Sequence, residues 1–194
     1  MKPHATTWLA GMLLAIFVGG FAVGCDALSE ATEVDVPIDI TFWPESESLT
    51  IPHEQTDCVN MADIKDYADN KDAIESAELL KATFMIDDLR FPSFDPATAV
   101  MTKVDFMLTF NEEYGDTRVY QIGTFNDIAI ASVLGTPKDI PLNSDANAAI
   151  QKILAGQEKF CVKAVYGPLD TGASDAGYLL TKIVLTVKFK ASVL

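Results

Sequence analysis

Apolar and polar residues alternate with period two over much of this chain, and twice that rhythm gives way to a helical one. Val34, Val36, Ile38, Ile40 and Phe42 alternate with Asp35, Pro37, Asp39, Thr41 and Trp43, the mark of a half-buried strand. Pro37 has no N–H to give a ladder, which predicts an edge strand, and Pro44 ends the run. Leu49–Ile51 predicts a second strand start, disrupted by Pro52, with His53 on the polar loop that follows. From Ala62 to Ser76 the spacing changes to three and four, through Ile64, Tyr67, Ala68, Lys71 and Ile74. That spacing predicts one or two short helices, with Asn60 or Asp63 as N-cap.

Alternation then returns at Leu80, Ala82, Phe84 and Ile86, and again at Val104, Phe106, Leu108 and Phe110, with a Pro-bearing loop over Arg90–Pro96 between them. Glu112-Glu113-Tyr114-Gly115-Asp116 predicts a hairpin turn returning through Arg118, Tyr120 and Ile122. Extended segments are expected at Ile128–Val133 and Ile140–Leu142. A second short helix starts at Ser144, with Ala146, Ala149, Ile150, Ile153 and Leu154 as its apolar stripe and Gly156 closing it. Two strands finish the chain. Phe160, Val162, Ala164 and Tyr166 alternate in the first, and Ile183, Leu185, Val187 and Phe189 in the second, opposite Lys182, Lys188 and Lys190. Seven or eight strands, two minor helices and many turns predict an all-β fold, an antiparallel β-sandwich with two short crossover helices. A lipocalin-like barrel is the competing architecture.

The N-terminus follows another rule. Lys2 precedes an uncharged apolar run of 16 residues from Trp8 to Val23, and Ala22-Val23-Gly24-Cys25 follows at its end. The run is short of the ~20 residues that span a bilayer as a helix, and it has the layout of a secretory signal. The pattern resembles the lipobox of bacterial lipoproteins, over residues 1–25 only. The resemblance implies cleavage of residues 1–24 as a signal peptide and lipid attachment at Cys25, through a diacylglycerol on sulfur and often an acyl chain on the new amine. Two or three chains give stable anchoring at roughly 0.8 kcal/mol per buried CH₂. Residues 25–33 then read as a polar tether and 34–194 as a single β-sandwich domain. An uncleaved transmembrane helix, or a signal cut elsewhere, is the alternative. The layout of the remainder also looks loosely like the short β-sandwich lipoproteins of cell envelopes and the sandwich of late-embryogenesis-abundant proteins.

Composition narrows the partners. The 194 residues carry 14 Lys and Arg against 28 Asp and Glu, and loss of residues 1–24 leaves a net charge near −15. Such an excess of acid opposes nucleic acid and anionic lipid headgroups, which need cationic neutralisation. With Cys25 acylated, Cys58 and Cys161 remain, 103 positions apart. Export puts them where a disulfide persists, and only one intramolecular pairing exists. Two unpaired buried thiols are the competing state. Neither has a neighbour at zinc-ligand spacing.

Candidate chemistry is sparse. Leu169-Asp170-Thr171-Gly172-Ala173-Ser174 matches the Asp-Thr-Gly-Ala core of aspartic proteases, yet Pro168 precedes it, Asp175 follows it, and 24 residues are too few for the rest of a lobe. The segment reads as a turn. Asp87-Asp88, Glu112-Glu113-Asp116 and Asp170/Asp175 could offer oxygens to calcium, but without a fixed ligand ladder. His53 is the only histidine after the leader, and on a polar loop it reads as a surface residue. Trp43 reads as a side chain capping the sandwich edge, with a sugar-stacking ring as the alternative.

The sequence therefore predicts a non-enzymatic module on the cell envelope, with no catalytic residues, no metal and no cofactor. Its membrane contact is acylated Cys25, in a periplasmic or surface-exposed setting. Its other partner is an envelope protein or a glycan, with no nucleic acid. One alternative is a fimbria-like subunit assembling by strand addition, with Leu179–Phe189 as the inserted strand. The other is a calcium-dependent binding protein or enzyme.

Overall fold

The computed structural model describes residues 32–50, 53–110, 117–173 and 175–193. Cys25, the part of the expected tether up to Ala31, and the expected hairpin turn within 111–116 lie outside them. The described residues form two packed antiparallel sheets. In chain order the strands are β1 (Thr32–Phe42), β2 (Glu45–Thr50), β3 (His53–Asn60), β4 (Ile74–Arg90), β5 (Val100–Phe110), β6 (Val119–Ala129), β7 (Lys138–Asp139), β8 (Lys159–Tyr166) and β9 (Asp175–Val193). One sheet has the order β1-β9-β4-β7, with β2 also on β9; the other has the order β3-β8-β5-β6. This is an all-β sandwich, not a closed barrel.

β9 organises the first sheet. Its later half pairs with β1, from Phe42↔Ile183 to Thr32↔Val193, and its earlier half pairs with β2. β1 and β2 are thus one ribbon broken at Pro44, whose carbonyl accepts from Thr181 N at 3.0 Å. Pro37 sits on the edge strand β1, opposite Lys188, where its missing donor costs no ladder bond. Along the other flank, β4 pairs with β9 almost throughout.

The inward-facing residues make one core. Phe42, Phe84, Phe106, Phe160, Phe189, Tyr120 and Tyr166 are all fully buried. Phe84 from one sheet meets Phe106 from the other at 5.1 Å between ring centroids, and Phe42 meets Phe160 at 5.8 Å. Each such pair contributes about 0.5–1.5 kcal/mol beyond area burial.

Two helical segments serve the edges. The first comprises two 3₁₀ turns around a single helical turn, α1 (Lys65–Ala68), with Asn60 Oδ1 capping Ala62 N at 3.2 Å. The second, α2 (Asp145–Leu154), buries Ala146, Ala149, Ile150 and Ile153. α2 also supplies polar groups that a missing strand would have given. Asn147 Oδ1 accepts from Leu79 N at 2.8 Å, and Gln151 Nε2 donates to Ala77 O at 2.6 Å. These bonds satisfy the β4 edge over residues that no strand covers.

Three expectations need correction. Leu80 points outward and is 46% exposed, while Leu79 is buried. A register shift between Leu79 and Lys81 breaks the alternation that the sequence predicts as continuous. Ile128–Val133 is not one extended segment, because β6 stops at Ala129 and a 3₁₀ turn covers Ile130–Ser132. His53 is not on a loop; it opens β3, paired with Tyr166. The strand escapes the hydrophobic pattern because its buried inward residue is polar Gln55.

Candidate functional site

The Cys58–Cys161 disulfide is formed, and it joins directly opposed residues of β3 and β8. On β8, Phe160 and Val162 face the core, so Cys161 faces outward with Lys159 and Lys163 on either side of it. Cys58 is exposed on β3, the edge strand of its sheet. Register places Cys58, Cys161, Thr109 and Val119 in one row across the outer face. An open groove of about 610 Å³ lies beside the bond, between Asn60, Asp63, Phe110 and Lys159.

A polar set invisible in the sequence ties β3 to the opposite sheet. Tyr166 Oη donates to Gln55 Oε1 at 2.7 Å and lies 3.2 Å from Thr181 Oγ1. Gln55 Nε2 donates to Leu179 O at 3.2 Å. Tyr166, Gln55 and Thr181 are all buried, and burial drives the Tyr166 hydroxyl well above the ordinary tyrosine range. Asp57 adds a second clasp, its Oδ2 accepting from Trp43 N at 2.7 Å and its Oδ1 from Cys58 N at 2.8 Å.

The third feature is an aromatic and cationic strip on the outer face of the other sheet. Trp43 is 43% exposed, with Lys182 Nζ 5.0 Å from its ring centroid. Four residue pairs further along the β9 ladder, Arg90 Cζ lies 3.8 Å over the Tyr178 ring, and Arg90 Nε pairs with Asp88 at 2.9 Å. Tyr178 is held above its usual value, first by loss of solvent and then by Glu45, with Arg90 opposing. Phe91 follows in a left-handed conformation (φ 57°) and is 85% exposed. β1 and β4 both run antiparallel to β9, so this strip lies at the opposite end of the sheet from Thr32. Fifteen residues of β9 separate the two ends, roughly 50 Å at the usual rise per residue.

The remaining candidates do not converge. Asp170 is bound up in the fold, its Oδ1 accepting from Val100 N at 2.9 Å while its own N donates to Val100 O at 2.9 Å. Gly172, at φ 70°, closes that turn. Asp88 is paired with Arg90, and Glu112-Glu113-Asp116 and the Asp175 side chain lie outside the described residues. Among the described residues no group of three or more His, Cys, Asp or Glu is placed to hold a metal ion, and no helix is long and apolar enough to cross a membrane.

No family model matches the chain, and neither does any curated protein. Solved structures similar to it include those of Desmodium yellow mottle tymovirus (15% identity, TM-score 0.30, covering 100% of this chain and 97% of that one) and Turnip yellow mosaic virus (11%, 0.32, 98% and 92%). A Cocksfoot mottle virus structure is 13% identical at TM-score 0.34, covering 100% and 97%. At such TM-scores the likeness carries no argument.

Proposed function

We propose that the protein is a lipid-anchored module of the cell envelope, held to a membrane by acylated Cys25, which binds a partner or builds structure without catalysing a reaction. The observation that carries this reading is the 16-residue apolar run followed by Gly24-Cys25, at the point where charge resumes with Asp26. Supporting it, β1 begins at Thr32, so six residues separate Cys25 from the first strand. The Cys58–Cys161 disulfide is of the kind that an exported chain keeps.

The exposed Trp43–Tyr178 strip, at the other end of its sheet from Thr32, is the surface offered to that partner, whether protein or glycan. The closed pairing of β9, with β1 and β2 on one flank and β4 on the other, favours a self-contained module over a subunit that donates this strand. Fractionation of native cells tests the reading. Wild-type protein partitions with membranes, and Cys25→Ser shifts it to the soluble fraction or leaves it as an uncleaved precursor. Unchanged partition and unchanged mobility would count against acylation.

A further inference from the structure

We propose that Cys58–Cys161 is an exchange site, opened from the folded state by a dithiol reductant whose thiolate attacks Cys58 Sγ and expels Cys161 as the leaving thiolate. Accessibility comes first. The bond lies on the outer face of its sheet, with Cys58 exposed and the core residues Phe160 and Val162 on the opposite side of β8.

Direction of attack comes second. Displacement at sulfur needs the nucleophile in line with the breaking S–S bond. Opposed cysteines on adjacent strands set that axis broadly across the ladder, from β8 towards β3. Continued past Cys58, the line leaves the sheet at its edge, because β3 is terminal in the order β3-β8-β5-β6. Continued past Cys161, it runs over β5 at Thr109. Cys58 is the open end.

Charge selects the same direction. Lys159 and Lys163 flank Cys161 on its own face of β8, and nearby cations favour a thiolate. Asp57 lies beside Cys58, accepting its N–H at 2.8 Å, and Glu54 pairs with Lys163 at 3.1 Å. The carboxylate next to Cys58 disfavours negative charge there, so Cys161 is the better leaving group, and a more stable leaving thiolate departs faster.

The step balances. The attacking thiolate forms a mixed disulfide with Cys58 while the Cys58–Cys161 bond breaks, and its electron pair goes to Cys161 Sγ. The reductant's second thiolate then displaces Cys58 and closes the reductant's own disulfide. The two protons lost by the reductant thiols pass through solvent to Cys58 and Cys161. The protein gains two electrons and the reductant loses two. β3 remains in place after opening, held by its eight ladder pairs with β8, by Gln55 to Leu179 O and by Asp57 to Trp43 N. None of this depends on acylation of Cys25.

The test uses the full chain purified in detergent, without denaturant. Dithiothreitol is the dithiol probe and glutathione the monothiol, each quenched with iodoacetamide and followed by intact mass and peptide mapping. The expected rate of opening rises linearly with dithiothreitol, with far-UV circular dichroism unchanged. Glutathione is expected on Cys58 and the alkyl label on Cys161. Lys159→Gln with Lys163→Gln is expected to slow opening about threefold or more, and the Lys→Arg pair to restore it. The proposal is overturned by a rate that saturates at the rate of global unfolding, by glutathione found mainly on Cys161, or by an unchanged rate in the Gln pair.

Discussion

The Tyr166 hydroxyl donates to Gln55 Oε1 at 2.7 Å across the β8–β3 pair, with both side chains buried. A buried acceptor that loses its donor carries the full cost of desolvation, about 1–3 kcal/mol. Tyr166→Phe removes the donor but keeps the ring against Phe84. Its unfolding free energy, from urea titration, is expected to fall by about that amount. Replacing Gln55 with Leu in the same chain removes the stranded acceptor but leaves Leu179 O without its Gln55 Nε2 donor, so the double variant is expected to lose less than the sum of the two single losses. Additive losses in the double variant would show that the two groups act separately.

Tyr67 provides a pH signal. Burial first and Glu158 second raise its hydroxyl to about 12, with Tyr67 Oη donating to Glu158 at 3.3 Å. The folded value lies above the unfolded one, so its contribution to stability is whole below the ordinary tyrosine range near 10. It is lost as pH rises through about 12. Spectrophotometric titration of the folded protein is expected to show a tyrosine ionising near that value, absent in Tyr67→Phe. A Tyr67→Phe profile identical to wild type above pH 10 would contradict this.

Loss of the disulfide acts on the unfolded chain. Closing a loop of about 100 residues contributes about 4.7 kcal/mol in the chain-entropy account. Cys58→Ser with Cys161→Ser is expected to remain folded, since a domain of this kind has about 5–15 kcal/mol to lose, but to melt earlier. A change below about 1 kcal/mol in denaturant titration would show that the two ends already associate in the unfolded state.

Gly123 sits at the bulge where β6 shifts register against β5. A Cβ there would land on the Pro141 carbonyl oxygen and crowd Ile140 Cγ2, which are backbone and core atoms with little room to retreat. Gly123→Ala is expected to destabilise by about 2 kcal/mol or more, as overpacked cores do. Unchanged stability would mean that the segment bridging at Leu142 moves away freely.

The fold was legible where one face of each element is apolar. Phe106, Leu108 and Phe110 on β5 and Ile183, Leu185, Val187 and Phe189 on β9 are buried as their alternation requires. β3 was illegible because Gln55 and Asp57 use hydrogen bonds to the other sheet where a strand ordinarily uses apolar contact. Leu80 misled because a bulge exchanges faces without any change in composition. Of the candidate site, the cysteine pairing followed from counting thiols. The strip joining Trp43 to Tyr178 did not, since their neighbourhood depends on the register of β9 with β1, β2 and β4 rather than on local sequence. Phe91 is likewise unremarkable in sequence, although its backbone is left-handed and packs so close to Gly177 that a side chain there would meet the Arg90 and Phe91 carbonyls.

Membrane anchoring through Cys25 is read from the intact mass of the protein isolated from native cells. The expected polypeptide starts at Cys25 and is heavier than its sequence by a diacylglyceryl group, with or without a further acyl chain. A mass retaining residues 1–24, or a mature terminus at Cys25 without fatty acyl groups, would contradict it.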